Sequence, residues 1–207
     1  MYVLIENGQI TKYFNNPKGF TLNDNQYAAD IFSKWSKDEK EAIGIYEVEY
    51  DTSNKKDEGY YINTNEQFKF ENNKAISYFG TATPKRLEDE NAVDVNGQAV
   101  LDEKGNQLIN YGLKTEKKKI IKQQAAGLLA PTDWYVVKAS EVSDYTVPAS
   151  ITNYRAAVRT KSNEMETAID GAANVDALKA LYEYTNTGTE QDPVYTRPLG
   201  EWPEEVI

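Results

Sequence analysis

The side chains that most often carry chemistry are missing from this sequence: among its 207 residues there is no His and no Cys. Their absence excludes Cys and His nucleophiles, zinc sites built on thiolate or imidazole, and disulfides. It also removes the group that ordinarily moves protons near neutral pH. What remains is a supply of 33 carboxylates. Acid–base work of the glycosidase kind needs two of them facing each other in a cleft, with their pKa values pushed apart. Glu47 and Glu49 instead share one face of the alternating stretch Ile45-Tyr46-Glu47-Val48-Glu49-Tyr50, which suits a strand face turned to water. The serines have no His to activate them, and Gly-x-Ser-x-Gly does not occur. The glycine patterns that bind dinucleotides or phosphates are missing as well. Asp94, Asn96, Gly97, Asp102 and Glu103 are rich in oxygen, but their spacing does not fit a calcium-binding loop, so turns are expected there. The sequence therefore reads as non-catalytic, with no metal and no cofactor.

Charge narrows the partners. Acids outnumber the 23 bases and leave a net charge of −10, a field that repels nucleic acid. Only residues 114–140 are basic, with six Lys against two acids. No apolar run is long enough for a membrane span. The opening run Tyr2-Val3-Leu4-Ile5 is stopped by Glu6-Asn7-Gly8, so no secretory signal is expected. With 40% hydrophobic and 27% charged residues, the chain is globular in composition. Neither nucleic acid nor membrane is an expected partner.

The elements that would position any binding residue follow from pattern. Asn7-Gly8 predicts a hairpin between 2–5 and 9–14, and Asn72-Asn73 predicts a turn before 75–79. Ser36 with Glu39 predicts a capped helix that stops at Gly44. Many of the 15 Tyr fall in this first part, where they suit strands. Two Gly-centred turns follow near Gly97 and Gly105. Ile120, Ile121, Ala125, Leu128 and Leu129 then mark one face of a helix that Pro131 ends. Thr132 or Asp133 would cap a short helix over 134–139. Pro148 opens a long helix striped by Ile151, Tyr154, Val158, Met165 and Ile169, and Asn174 caps another over 175–184. The expected class is α+β: a small Tyr-rich antiparallel β domain (1–82), a β-hairpin connector (83–113), and a C-terminal helical module (114–207) ending in an extended Pro-rich tail.

At Leu128-Leu129-Ala130-Pro131-Thr132-Asp133-Trp134, followed by Val147-Pro148 and Tyr154-Arg155-Ala156-Ala157-Val158-Arg159, the sequence resembles the C-terminal module of bacteriophage tail-fibre assembly and tail-associated proteins. The tail Pro198-Leu199-Gly200-Glu201-Trp202-Pro203 is similar to that family's closing segment, and 35–48 is more loosely similar to its N-terminal part. Val158 stands where the family commonly has Leu, and the helix over 175–184 is an addition. The resemblance implies a chaperone-like factor that shields fibre chains before they trimerise. It acts in the host cytoplasm during assembly or stays in the virion tail. The alternative is a structural virion protein attached to tail, fibre or capsid, with homo-oligomers in the particle.

A partner would be held by aromatic and Arg anchors: Trp134, Tyr135, Arg155 and Arg159 in the module, Tyr195 and Trp202 in the tail. The same pattern also predicts internal duties. Trp134 and Tyr154 fit a core that packs the helices, and Arg155 and Arg159 can pair with Asp133 or Glu141. Trp202, flanked by Pro, is expected either to dock in another chain's groove or to fold back onto its own helices.

Overall fold

In the computed structural model, which describes residues 1–205, Asn7 and Gly8 both take left-handed backbone, with φ of 53° and 76°. That is the turn geometry whose twist matches two right-twisted strands, and it joins β1 (Tyr2–Glu6) to β2 (Gln9–Phe14). Asn23-Asp24 makes the same turn between β3 (Phe20–Leu22) and β4 (Asn25–Tyr27). A short helix, α1 (Ile31–Lys34), leads to α2 (Lys37–Ala42). Ser36 Oγ accepts the amide of Glu39 at 3.3 Å, and the Glu39 carboxylate accepts the amide of Ser36 at 2.8 Å, closing the expected capping box. Gly44 ends the turn at φ 81°, where a Cβ would sit 2.6 Å from the Ile5 carbonyl oxygen. After it come β5 (Ile45–Asp51), β6 (Tyr61–Ile62), β7 (Gln67–Glu71), β8 (Lys74–Tyr78) and β9 (Thr83–Pro84).

The main sheet runs β2-β1-β5-β8-β7. It is not a simple antiparallel meander, because β5 pairs with β8 in parallel, Val48 opposite Ala75. The Asn72-Asn73 turn fixes β8 antiparallel to β7, and the long return over 52–66 brings β8 in beside β5. β6 leaves the sheet and pairs only with β9. Alternation splits β1 between two cores. Leu4 packs with Phe14, Phe20, Ile31, Phe32 and Ile45. Val3 packs with Val48 and Ala75 under Phe68 and Phe70. The Tyr13 and Phe68 rings lie 5.2 Å apart, so the sheet curls until its two outer strands meet.

The chain divides after Pro84. The connector expected over 83–113 is no separate segment: from Lys85 on it belongs to the helical unit. It holds two short strands, β10 (Glu90–Asn91) and β11 (Ile109–Asn110), around the two Gly turns. Leu113 and Lys114 amides bond to the carbonyls of Arg86 and Leu87. The Asp89 carboxylate takes the Gly112 amide at 2.7 Å and the Thr115 hydroxyl at 3.0 Å, placing an anion at the start of α3 (Leu113–Leu129). Acids within the same unit also meet the lysines of α3: Lys114 pairs with Glu88, Lys118 with Asp170 and Lys122 with Glu166.

A 3-10 turn at Ala130–Thr132 carries the chain into α4 (Asp133–Glu141). Beyond it lie α5 (Ala149–Gly171) and α6 (Val175–Ala180), the latter capped by Asn174 on the Ala177 amide. The α5 stripe is buried as expected, and full burial of Val158, Met165 and Ile169 contributes about 1.5–3 kcal/mol each. Ile120, expected on the buried face of α3, is exposed; Ile121 and Ala125 carry that face. α6 is shorter than expected, and β12 (Thr185–Asn186) pairs with β13 (Tyr195–Thr196) as a hairpin arm. The tail is therefore not extended throughout. Arg197–Gly200 turns, the Leu199 amide bonds to the Leu181 carbonyl, and Leu199 is buried. Among the described residues, no helix is long and apolar enough to cross a membrane.

Candidate partner-binding surface

Two adjacent residues of α5 clamp the end of α3. A helix leaves its last carbonyls without intrahelical donors. The Tyr154 hydroxyl donates to the Leu128 carbonyl at 3.4 Å, and the Arg155 guanidinium to the Leu129 carbonyl at 3.1 Å. Arg155 also donates to Thr132 Oγ1 and, at 2.8 Å, to Asp133 Oδ1. Thr132, fully buried, donates its hydroxyl to the Leu129 carbonyl at 2.6 Å. Its side chain thus serves this cluster and does not cap α4 as expected. A guanidinium at a helix C-terminus is also favoured by the helix dipole. Burial pushes the Tyr154 phenol above its ordinary value, with the Glu205 charge adding to it. The Arg155–Asp133 pairing expected from the sequence is present. Its work is internal, and Arg155 is buried rather than offered to a partner.

The clamp fixes how α4 leaves the helix pair. No residue of α4 is buried; Tyr135 and Ala139 are half-buried and form its inner side. Trp134, one position round the helix from Tyr135, points outward. It is 52% exposed, so it is not the core aromatic the pattern suggested. Val137, also 52% exposed, lies one turn on from Trp134, with exposed Val136 beside it. The Trp134 ring is supported from below and beside: the Tyr135 centroid is 3.8 Å away and Lys138 Nζ lies 5.9 Å from its own. A lone exposed apolar residue is ordinary; here Trp134 and Val137 stand exposed one turn apart on a short helix.

The other sequence candidates do not join this cluster. Arg159 is exposed and donates to the Arg155 carbonyl at 3.4 Å. Tyr195 is exposed on the β12–β13 arm. Trp202 folds back onto its own helices. It packs against the buried cluster of Ala125, Tyr154 and Val158, and its indole N–H donates to Gln124 Oε1 at 3.2 Å. The helix pair leaves an apolar groove there, and filling it removes Trp surface from water. Val136 and Val137 were not among the sequence candidates; their only signal is the adjacent Val-Val in a helix without a buried stripe.

A groove of about 780 Å³ runs along α3 between Tyr111, Thr115, Lys119 and Ala126. Of its other lysines, Lys118 and Lys122 are engaged by Asp170 and Glu166. The Asp170 hydrogen bond raises the Lys118 pKa, against the effect of burial. Among the described residues no group of acids could hold a metal ion. No protein-family model, curated protein or solved structure matches the chain.

Proposed function

We propose that this chain is a non-catalytic assembly factor for bacteriophage tail fibres, a chaperone-like protein that binds fibre or tail protein through α4. The observation that carries the reading is the outward face of α4, where Trp134 and Val137, one turn apart, are exposed on a helix with no fully buried residue. The residues behind the family resemblance divide in a way that supports it. Thr132, Asp133, Tyr154 and Arg155 hold the helices together, while Trp134 is left free for a partner. A rigidly mounted aromatic anchor loses little conformational entropy on binding.

The test is co-expression with the fibre protein encoded nearest to this chain's gene, comparing the yield of soluble trimeric fibre with and without it. A rise in yield, with this chain absent from purified particles by mass spectrometry, supports the assembly role. Unchanged yield with stoichiometric peptides in particles would replace it with the structural virion protein.

A further inference from the structure

The segment between β10 and β11 is built on an eight-residue period that closes on itself. Asp94 and Asp102 stand eight apart, as do Gly97 and Gly105, both left-handed at φ 78° and 82°. Each Asp accepts two backbone amides of its own loop: Asn96 and Gln98 at Asp94, Lys104 and Asn106 at Asp102. The same period links three backbone positions into a ring. The Val100 amide bonds to the Ala92 carbonyl at 3.0 Å, Leu108 to Val100 at 2.9 Å, and Ala92 back to Leu108 at 2.8 Å. One side chain plugs the centre: Gln107 Nε2 reaches all three carbonyls, at 2.7, 3.2 and 2.9 Å. Three cross-strand pairs radiate from the ring, Val93 with Ala99, Leu101 with Gln107, and Ile109 with Asn91. The result is a clover with an approximate threefold axis.

Its apolar residues repeat with the axis. Val93, Leu101 and Ile109 occupy equivalent positions and are 58%, 53% and 46% exposed. Three equivalent, exposed apolar groups cannot be explained by the core, since each is left half in water at the same register. They present one chemistry three times, which a monomeric or twofold partner meets only once or twice. A homotrimer meets it three times, because its three identical chains offer the same pocket around one axis.

We infer that the clover is a docking surface for the threefold end of a homotrimeric protein, with one chain of this protein bound per trimer and Val93, Leu101 and Ile109 each against one subunit. Naming a phage fibre as that trimer rests on the function proposed above. Native mass spectrometry of this chain mixed in excess with the co-expressed trimeric fibre protein reads the stoichiometry, and titration calorimetry reads the affinity. One chain per trimer is expected. Single replacements Val93→Ser, Leu101→Ser and Ile109→Ser should each weaken binding by a similar factor, roughly threefold to tenfold for one half-buried apolar anchor. Val95→Ser, which alters a fully exposed residue on one loop only, should change it less than twofold, about the experimental scatter. Three chains per trimer, or losses confined to one of the triad, overturns the inference and leaves the fibre reading intact. Failure of the unaltered chain to bind the trimer also overturns the inference, while the fibre reading stands or falls separately by the co-expression yield.

Discussion

Replacing Arg155 by Met keeps the unbranched stem and removes every donor that Arg155 gives the clamp. The magnitude follows from which acceptors can find water. Asp133 has a side chain that is 59% exposed, so it rehydrates, and its share resembles a surface ion pair at about 0–1 kcal/mol. The Leu129 carbonyl keeps the Thr132 hydroxyl as donor but loses the guanidinium. Thr132, with no exposed surface, loses the guanidinium donor to Oγ1 and cannot rehydrate without opening the turn. Bonds from a charged donor to such groups contribute about 1.5–3 kcal/mol, so the expected loss is about 3 kcal/mol in all. For a helical unit of this size that lowers Tm by roughly 12 °C. The assay is thermal unfolding followed by far-ultraviolet circular dichroism, with Arg155→Lys and Asp133→Ala beside it. The Arg155→Lys variant has an ammonium that reaches fewer acceptors than the guanidinium fork and should cost about half as much. Asp133→Ala should cost less than about 1 kcal/mol. If Arg155→Met lowers Tm no more than Asp133→Ala, the clamp does not hold α3 to α4 and the reasoning fails.

Three further outcomes are expected. Gly44→Ala combines left-handed backbone with a Cβ 2.6 Å from the Ile5 carbonyl, so the β unit should lose about 2–4 kcal/mol in denaturant unfolding; an unchanged midpoint contradicts the geometry. Gln107→Ala leaves the three ring carbonyls with one donor each, and the amides of Ala92, Val100 and Leu108 should exchange roughly tenfold faster, about 1.4 kcal/mol of local opening; unchanged exchange means the plug is idle. The Asp94 carboxylate is held below its ordinary 3.8 chiefly by the Gln98 amide, and that of Asp102 chiefly by the Asn106 side chain. A depressed pKa stabilises the fold fully above the unfolded value and loses that contribution as pH falls through the folded one. The Gln98 and Asn106 amide signals should therefore hold steady down to about pH 4 and move only below it; a midpoint above 4 contradicts the assignment.

What could be read from the sequence was local. Asn7-Gly8 and Asn72-Asn73 specify their turns because both positions need positive φ, and Ser36 with Glu39 specifies a helix start within four residues. The α5 stripe was legible because one face of a long helix must be covered. The parallel pairing of β5 with β8 was not, since it depends on where a long return deposits a strand, and no residue in either strand encodes that. The clover carried its signal openly, but two Gly turns in series look like successive hairpins until the ring from Ala92 to Leu108 closes. In the candidate surface, the Asp133–Arg155 pair followed from charge and spacing. Trp134 and Trp202 each had a partner-facing and an inward reading, and the structure leaves Trp134 exposed and packs Trp202 onto its own helices. Which aromatic is buried depends on which side of a nine-residue helix meets the helix pair, and on a groove that exists only once α3 and α5 have packed.

The central claim, that α4 is the gripping surface, is tested most directly by calorimetric titration of the fibre protein with the unaltered chain and with a Trp134→Asp, Val137→Asp double variant. Both side chains are half in water, so the variant should melt within about 3 °C of the original. Two anchors of this kind contribute about 2–4 kcal/mol, so binding should weaken at least roughly thirtyfold. Full-strength binding by a folded double variant would contradict the claim.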